Sequence, residues 1–136
     1  MKKLLVLLCA AATLLAFPFC SMQYTYAVYE LTFSANLISN NHVGNEWQIS
    51  YSTDEKKVTD GMRWLVSLEN PKSLIIDITV TEKDKIPDTG TGSIVITLNG
   101  EAHSDTVVSV TECGGKNEGN EAQWEIICQT KLIRII

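Results

Sequence analysis

The sequence predicts an all-β domain, an antiparallel two-sheet sandwich of about seven strands over residues 28–136. Three observations predict it. After Val28 no apolar stripe of helical period runs beyond two turns, so no amphipathic helix is available to build a core. Runs rich in β-branched and aromatic residues recur instead, several with two-residue alternation. Turn-forming residues separate these runs, and the roughly 109 residues involved are the usual size of such a sandwich.

The strands are read in order. Residues 28–34 are β-branched and aromatic, and 47–51 set Trp47, Ile49 and Tyr51 against Gln48 and Ser50. A third run covers 63–68. Residues 73–81 place Leu74, Ile76, Ile78 and Val80 on one face and Asp77, Thr79 and Thr81 on the other. Residues 93–98 and 106–111 alternate likewise, and 123–135 end the chain. Between them lie Asn40-Asn41 and Gly44, Asp60-Gly61, Asn70-Pro71, the segment 87–92, Asn99-Gly100, and the glycine-rich 114–119. Each turn reverses direction, so counting strands assigns connections 35–46, 70–72 and 99–105 to one end. Connections 52–62, 82–92 and 112–122 fall at the other, with Asp54, Glu55, Asp60, Glu82, Asp84, Asp88, Glu112, Glu118 and Glu121. That end is expected to carry nine of the sixteen acids and to be where a partner binds.

Residues 1–27 read as an export signal. Met1, Lys2 and Lys3 give a basic start, and 4–20 are apolar except for Thr13. Thr25-Tyr26-Ala27 offers small residues at the two positions an export peptidase reads, which places the cut before Val28. An uncleaved anchor is the alternative, although the run is slightly short for a span of about 20 residues. Phe19 before Cys20 argues against lipidation, which needs a small residue there.

Removing 1–27 loses Lys2 and Lys3 and no acid, leaving 9 basic and 16 acidic groups. Nucleic acid is thereby an unsuitable partner, and an anionic bilayer repels the domain unless a cation bridges the two. Glu82, Asp84 and Asp88 lie within seven residues after a strong strand, with Pro87 and Gly90 bending the chain. Clustered carboxylates suit calcium, which takes six to eight oxygens at about 2.3–2.6 Å. Two readings stand: a weak calcium site, or a solvated turn with Lys83 and Lys85 as counter-charges. The EF-hand pattern is absent.

The stretch Glu82-Lys-Asp-Lys-Ile-Pro-Asp-Thr-Gly90 resembles the third acidic loop of C2 domains, and calcium binding at Glu82, Asp84 and Asp88 is what that resemblance implies. Together with His42-Val-Gly-Asn-Glu-Trp47 and Gly119-Asn-Glu-Ala-Gln-Trp124, it is similar to small, mostly uncharacterised bacterial proteins, many of them exported. That likeness implies an immunoglobulin-like or C2-like sandwich and no activity. Trp47 and Trp124 are expected as core anchors.

Cys9 and Cys20 belong to the export signal, which leaves Cys113 and Cys128 as the disulfide candidate of an exported domain. A bridge would contribute about 3 kcal/mol in the chain-entropy model. A simple hairpin across Gly114 instead sets Cys113 opposite Ala122, some 20 Å from Cys128 at about 3.3 Å per residue, beyond the roughly 7 Å that a disulfide allows between α-carbons. The free-thiol reading is favoured. His103-Ser104-Asp105 is no catalytic triad, because consecutive residues do not converge on one proton path. The expectation is a secreted or extracytoplasmic, non-enzymatic binding module for an extracellular protein, glycan or lipid surface. The alternative is a metal-free spacer or assembly domain, with the apolar tail 132–136 as an edge strand or pairing with another chain. A small hydrolase is the third reading.

Overall fold

In a computed structural model, which describes residues 23 and 25–136, the chain forms eight strands and one short 3₁₀ turn at Gly115–Asn117. The strands are β1 (Tyr26–Asn40), β2 (Trp47–Thr53), β3 (Lys56–Val58), β4 (Met62–Ser67), β5 (Lys72–Glu82), β6 (Asp88–Leu98), β7 (Ala102–Thr111) and β8 (Glu121–Ile135). They make two four-stranded antiparallel sheets, ordered β4-β1-β8-β7 and β3-β2-β5-β6. The export signal with Cys9 and Cys20 lies outside the described residues, save for its last residues. β1 begins two residues before Val28, with Ala27 fully buried and Tyr26 exchanging backbone hydrogen bonds with Ile136. A cut before Val28 would strip both from the sheet.

The core follows the two-residue period. Leu74, Ile76, Ile78 and Val80 of β5 and Ile94, Ile96 and Leu98 of β6 face inward. From the other sheet come Tyr29, Leu31, Val108, Val110, Ala122, Ile126 and Cys128, and the two layers bury each other's apolar faces. Phe33 stacks on Tyr51 at 4.0 Å between ring centroids, and Trp47 meets Trp124 edge-on at 5.5 Å, bridging the sheets as core anchors.

Several elements depart from the sequence reading; residues 35–40 and 102–105, read as connection, are strand in β1 and β7. β3 is an additional strand, entered through Asp54 and Glu55, both in left-handed backbone conformation at φ 48° and 62°. β6 starts at Asp88, so residues 88–92 are strand rather than loop. The reason is close packing: a side chain at Gly90 would collide with the carbonyl of Ser109, so glycine lets β7 lie directly against β6. The apolar tail is an edge on one side only: β8 runs between β1 and β7 as far as Thr130, beyond which Leu132 and Ile135 pair with Tyr29 and Ala27 of β1 and, among the described residues, with no strand on the β7 side.

The extra strand changes which loops meet. Trp47 pairs with Glu82, Asn40 with Ala122, and Thr111 with Glu121, so loops 41–46, 83–87 and 112–120 share one end. Lys72 pairs with Leu98, which puts 68–71 and 99–101 at the other. Asp54, Glu55 and Asp60 leave the acidic end. The turn at 54–55 lies some 20 Å along β2 from it, at about 3.3 Å per residue, and Asp60 Oδ1 accepts the Phe33 N–H at 2.8 Å on the flank. Loop 41–46 joins the acidic end in their place.

Candidate functional site

The inward face of β5 does not end with apolar residues. After Leu74, Ile76, Ile78 and Val80 the next inward position is Glu82, and its partner across the ladder is Asp88. Both side chains are 2% exposed. Two carboxylates thus occupy core positions at the mouth of the sandwich, with loop 83–87 joining them.

Loop 41–46 covers the first. Gly44 has a φ of +139°, and a side chain there would occupy the space of the Glu82 carboxylate. Asn40 fixes this loop by accepting from the Val43 N–H at 3.0 Å and donating to the Gly44 carbonyl at 2.6 Å. The Lys83 N–H donates to the Glu46 carbonyl at 2.6 Å. Loop 112–120 covers the second: Asp88 Oδ1 accepts the Cys113 N–H at 2.9 Å. The two loops join where Asn117 donates to the His42 carbonyl at 3.2 Å.

Satisfaction stops there. Glu82 Oε2 and Asp88 Oδ2 are buried with no hydrogen-bond partner, as are the indole nitrogens of Trp47, Trp124 and, away from this end on β4, Trp64. Among the described residues no lysine or arginine pairs with either acid. Glu112 adds a third carboxyl, pushed above its ordinary range by burial first, then by the charges of Asp88, Asp84 and Glu82, and last by a side-chain hydrogen bond with Asp88 that its protonated form makes. Asp84 itself is exposed, and its Oδ1 accepts the Ile86 N–H at 2.7 Å in a local turn. Of the three acids read as metal ligands, the fold brings Glu82 and Asp88 together inside and leaves Asp84 outside. Among the described residues no three histidine, cysteine or carboxylate side chains stand in metal-binding geometry. No family model, curated protein or solved structure matches the chain.

The thiols are free: Cys113 is exposed beyond the end of β7, and Cys128 is buried opposite Ser104. Burial pushes the Cys128 thiol up to about 11. An open groove of about 390 Å³ lies elsewhere, on the far half of the β1-β8-β7 face, lined by Thr32, His103, Gln129 and Lys131 among others. It contains none of the orphaned atoms, and the two unpartnered carboxylate oxygens lie at the acidic end instead. Sequence reasoning read Gly44 only as a turn, placed Glu112 at the acidic end without a role of its own, and missed the unpartnered indole nitrogens. The alternation of β5, carried one step past Val80, was the available signal for the burial of Glu82. Among the described residues no helix is long and apolar enough to cross a membrane.

Proposed function

We propose that the chain is an exported bacterial sandwich of immunoglobulin-like or C2-like type, acting as a non-enzymatic binding module whose acidic end meets an extracellular protein, glycan or lipid surface. One observation carries this reading: Glu82 and Asp88 are buried side by side, each with an unpartnered carboxylate oxygen. An ionised carboxylate in an apolar interior is costly unless paired. Fold stability alone would favour leucine or valine there.

A hard cation resolves the cost, and calcium fits first because its ligands are oxygens and its geometry is tolerant. Glu82 and Asp88 supply the first oxygens; the side chains as they stand form no complete cage, so binding draws Glu112 inward and fills the rest of the shell with loop carbonyls and water. Two preplaced carboxylates are fewer than a tight site uses, which sets the affinity in the class of extracellular modules, about 10⁻⁴–10⁻³ M. Loops 41–46 and 112–120 rest on these acids, so the ion orders the surface that a partner meets.

Calorimetry and thermal melting of the full chain in calcium, magnesium and chelator test this. The expected result is a melting temperature that rises saturably with millimolar calcium and does so no longer in Asp88→Asn. Absence of both heat and shift at millimolar calcium rejects the cation and leaves the metal-free spacer.

A further inference from the structure

One flank of the sandwich is left open. β4 pairs with β1 only from Tyr26 to Leu31, and β3 pairs with β2 only from Tyr51 to Thr53. β1 runs on to Asn40 with β8 on one side and, among the described residues, no strand on the other. The direction of its free groups is fixed by two hydrogen bonds: the Leu31 carbonyl accepts from Gly61 and the Phe33 N–H donates to Asp60 Oδ1, both toward the β4 side. Antiparallel alternation turns the N–H and C=O of Ala35 the same way.

The sequence of this edge is Phe33-Ser-Ala-Asn-Leu-Ile-Ser-Asn40, without a charge or a proline. Free edges are ordinarily guarded by charge, proline, shortness or cover. Three other edges follow that rule, while the short end of β8 beyond Thr130 carries Lys131 and Arg134 beside exposed Ile135 and Ile136. β3 is three residues long and carries Lys56 and Lys57, β6 is closed against β7 through Gly90, and β7 carries His103 and Asp105. On β1 the guard is a register shift between Leu37 and Ser39, and Leu37 and Ile38 stand 42% and 54% exposed.

We propose that residues 33–40 pair antiparallel with the same segment of a second copy of this chain, making a continuous β7-β8-β1-β1-β8-β7 sheet. Water satisfies such exposed groups one at a time, whereas another extended backbone satisfies the whole row of donors and acceptors at once. A two-fold axis supplies both from one sequence. The segment is neutral in a chain of formal charge −5, so two copies meet there without acid facing acid. Past Asn40 the chain turns toward β8, where Asn41 donates to the Glu121 carbonyl, so the incoming strand turns away instead of running into β4.

Sedimentation of the full chain over a range of concentrations is the test. Wild type is expected as a concentration-dependent dimer. Ala35→Pro removes an outward N–H, a change tolerated at an edge, and Leu37→Lys puts a charge on it. Both are expected to give monomers that melt cooperatively, whereas Ile75→Lys, on the exposed face of the other sheet, keeps the dimer. Wild type that stays monomeric at every concentration, or a dimer that survives both edge substitutions, overturns the proposal; the first result leaves the edge to a strand of another protein.

Discussion

The β5-β6 ladder is closed differently at its two ends. At the far end the inward positions are Leu74, Ile96 and Leu98, and the buried Thr130 is satisfied: its hydroxyl bonds the Gly100 carbonyl at 2.8 Å and accepts the Ala102 N–H at 2.9 Å. The indole nitrogen of Trp64, near Lys72, is buried without a partner there, but it is neutral. At the acidic end the same two strands finish on Glu82 and Asp88, each with an orphaned oxygen. Backbone, pleat and sheet are shared, so the contrast isolates the side chains. One end is closed by apolar side chains, and the other by two carboxyl groups that each keep an unpartnered oxygen.

Truncation should separate the two ends first. Ile76→Ala empties a fully buried core position and is expected to cost about 2–5 kcal/mol, the range for large-to-small core changes. Against a total of about 5–15 kcal/mol this lowers the denaturation midpoint markedly, and the loss should be the same with and without calcium. An effect that depended on calcium would show that the two ends are coupled and would blur the contrast.

Gly44→Ala is next. The backbone there is left-handed and the new methyl enters the space of the Glu82 carboxylate, so about 2 kcal/mol is expected from backbone strain with the collision added. Gly61→Ala, also left-handed at φ +76° but facing open space, isolates the strain alone and should cost less in the same melting experiment. Equal losses would mean that loop 41–46 does not press on the carboxylate.

Much of this arrangement was legible from residues alone, and the failures have physical causes. Alternation in 73–81 marks the inward face because apolar side chains recur at the pleat period. β3 escaped because three residues, two of them lysine, hold no period, and because Asp54 and Glu55 adopt left-handed conformations without the glycine that announces such a turn. Missing one strand reversed the parity and exiled loop 41–46 from the acidic end. Gly90 and Gly92 read as punctuation, whereas in the fold they are the flat side on which β7 rests. The acidic cluster was visible as composition, but burial of Glu82 and Asp88 with exposure of Asp84 depends on strand ends that no local pattern sets to within one residue.

Glu82→Met removes the buried charge while keeping a flexible side chain of similar length. With no cation present it is expected to raise stability by about 1–2 kcal/mol, as replacement of buried ionic groups by apolar ones commonly does, and to abolish any calcium response. A loss of stability in chelator would mean that the carboxylate is satisfied in solution, and the contrast between the ends would then fail.

The smallest effect is the most discriminating, because its sign depends on pH. Burial and the neighbouring Asp88, Asp84 and Glu82 hold the Glu112 carboxyl above its ordinary 4.5, so the folded protein binds this proton more tightly than the unfolded chain. Below about 4.5 the group is protonated in both states and costs nothing. As pH rises through the folded value the charge is forced to form beside other acids, and stability is lost. Glu112→Gln lacks this titration. In chelator its melting temperature should match wild type at acid pH and exceed it at neutral pH, and saturating calcium should reverse the order, since a ligand oxygen is then missing. A difference independent of pH would place Glu112 outside the field of Asp88 and reduce the acidic end to a solvated surface.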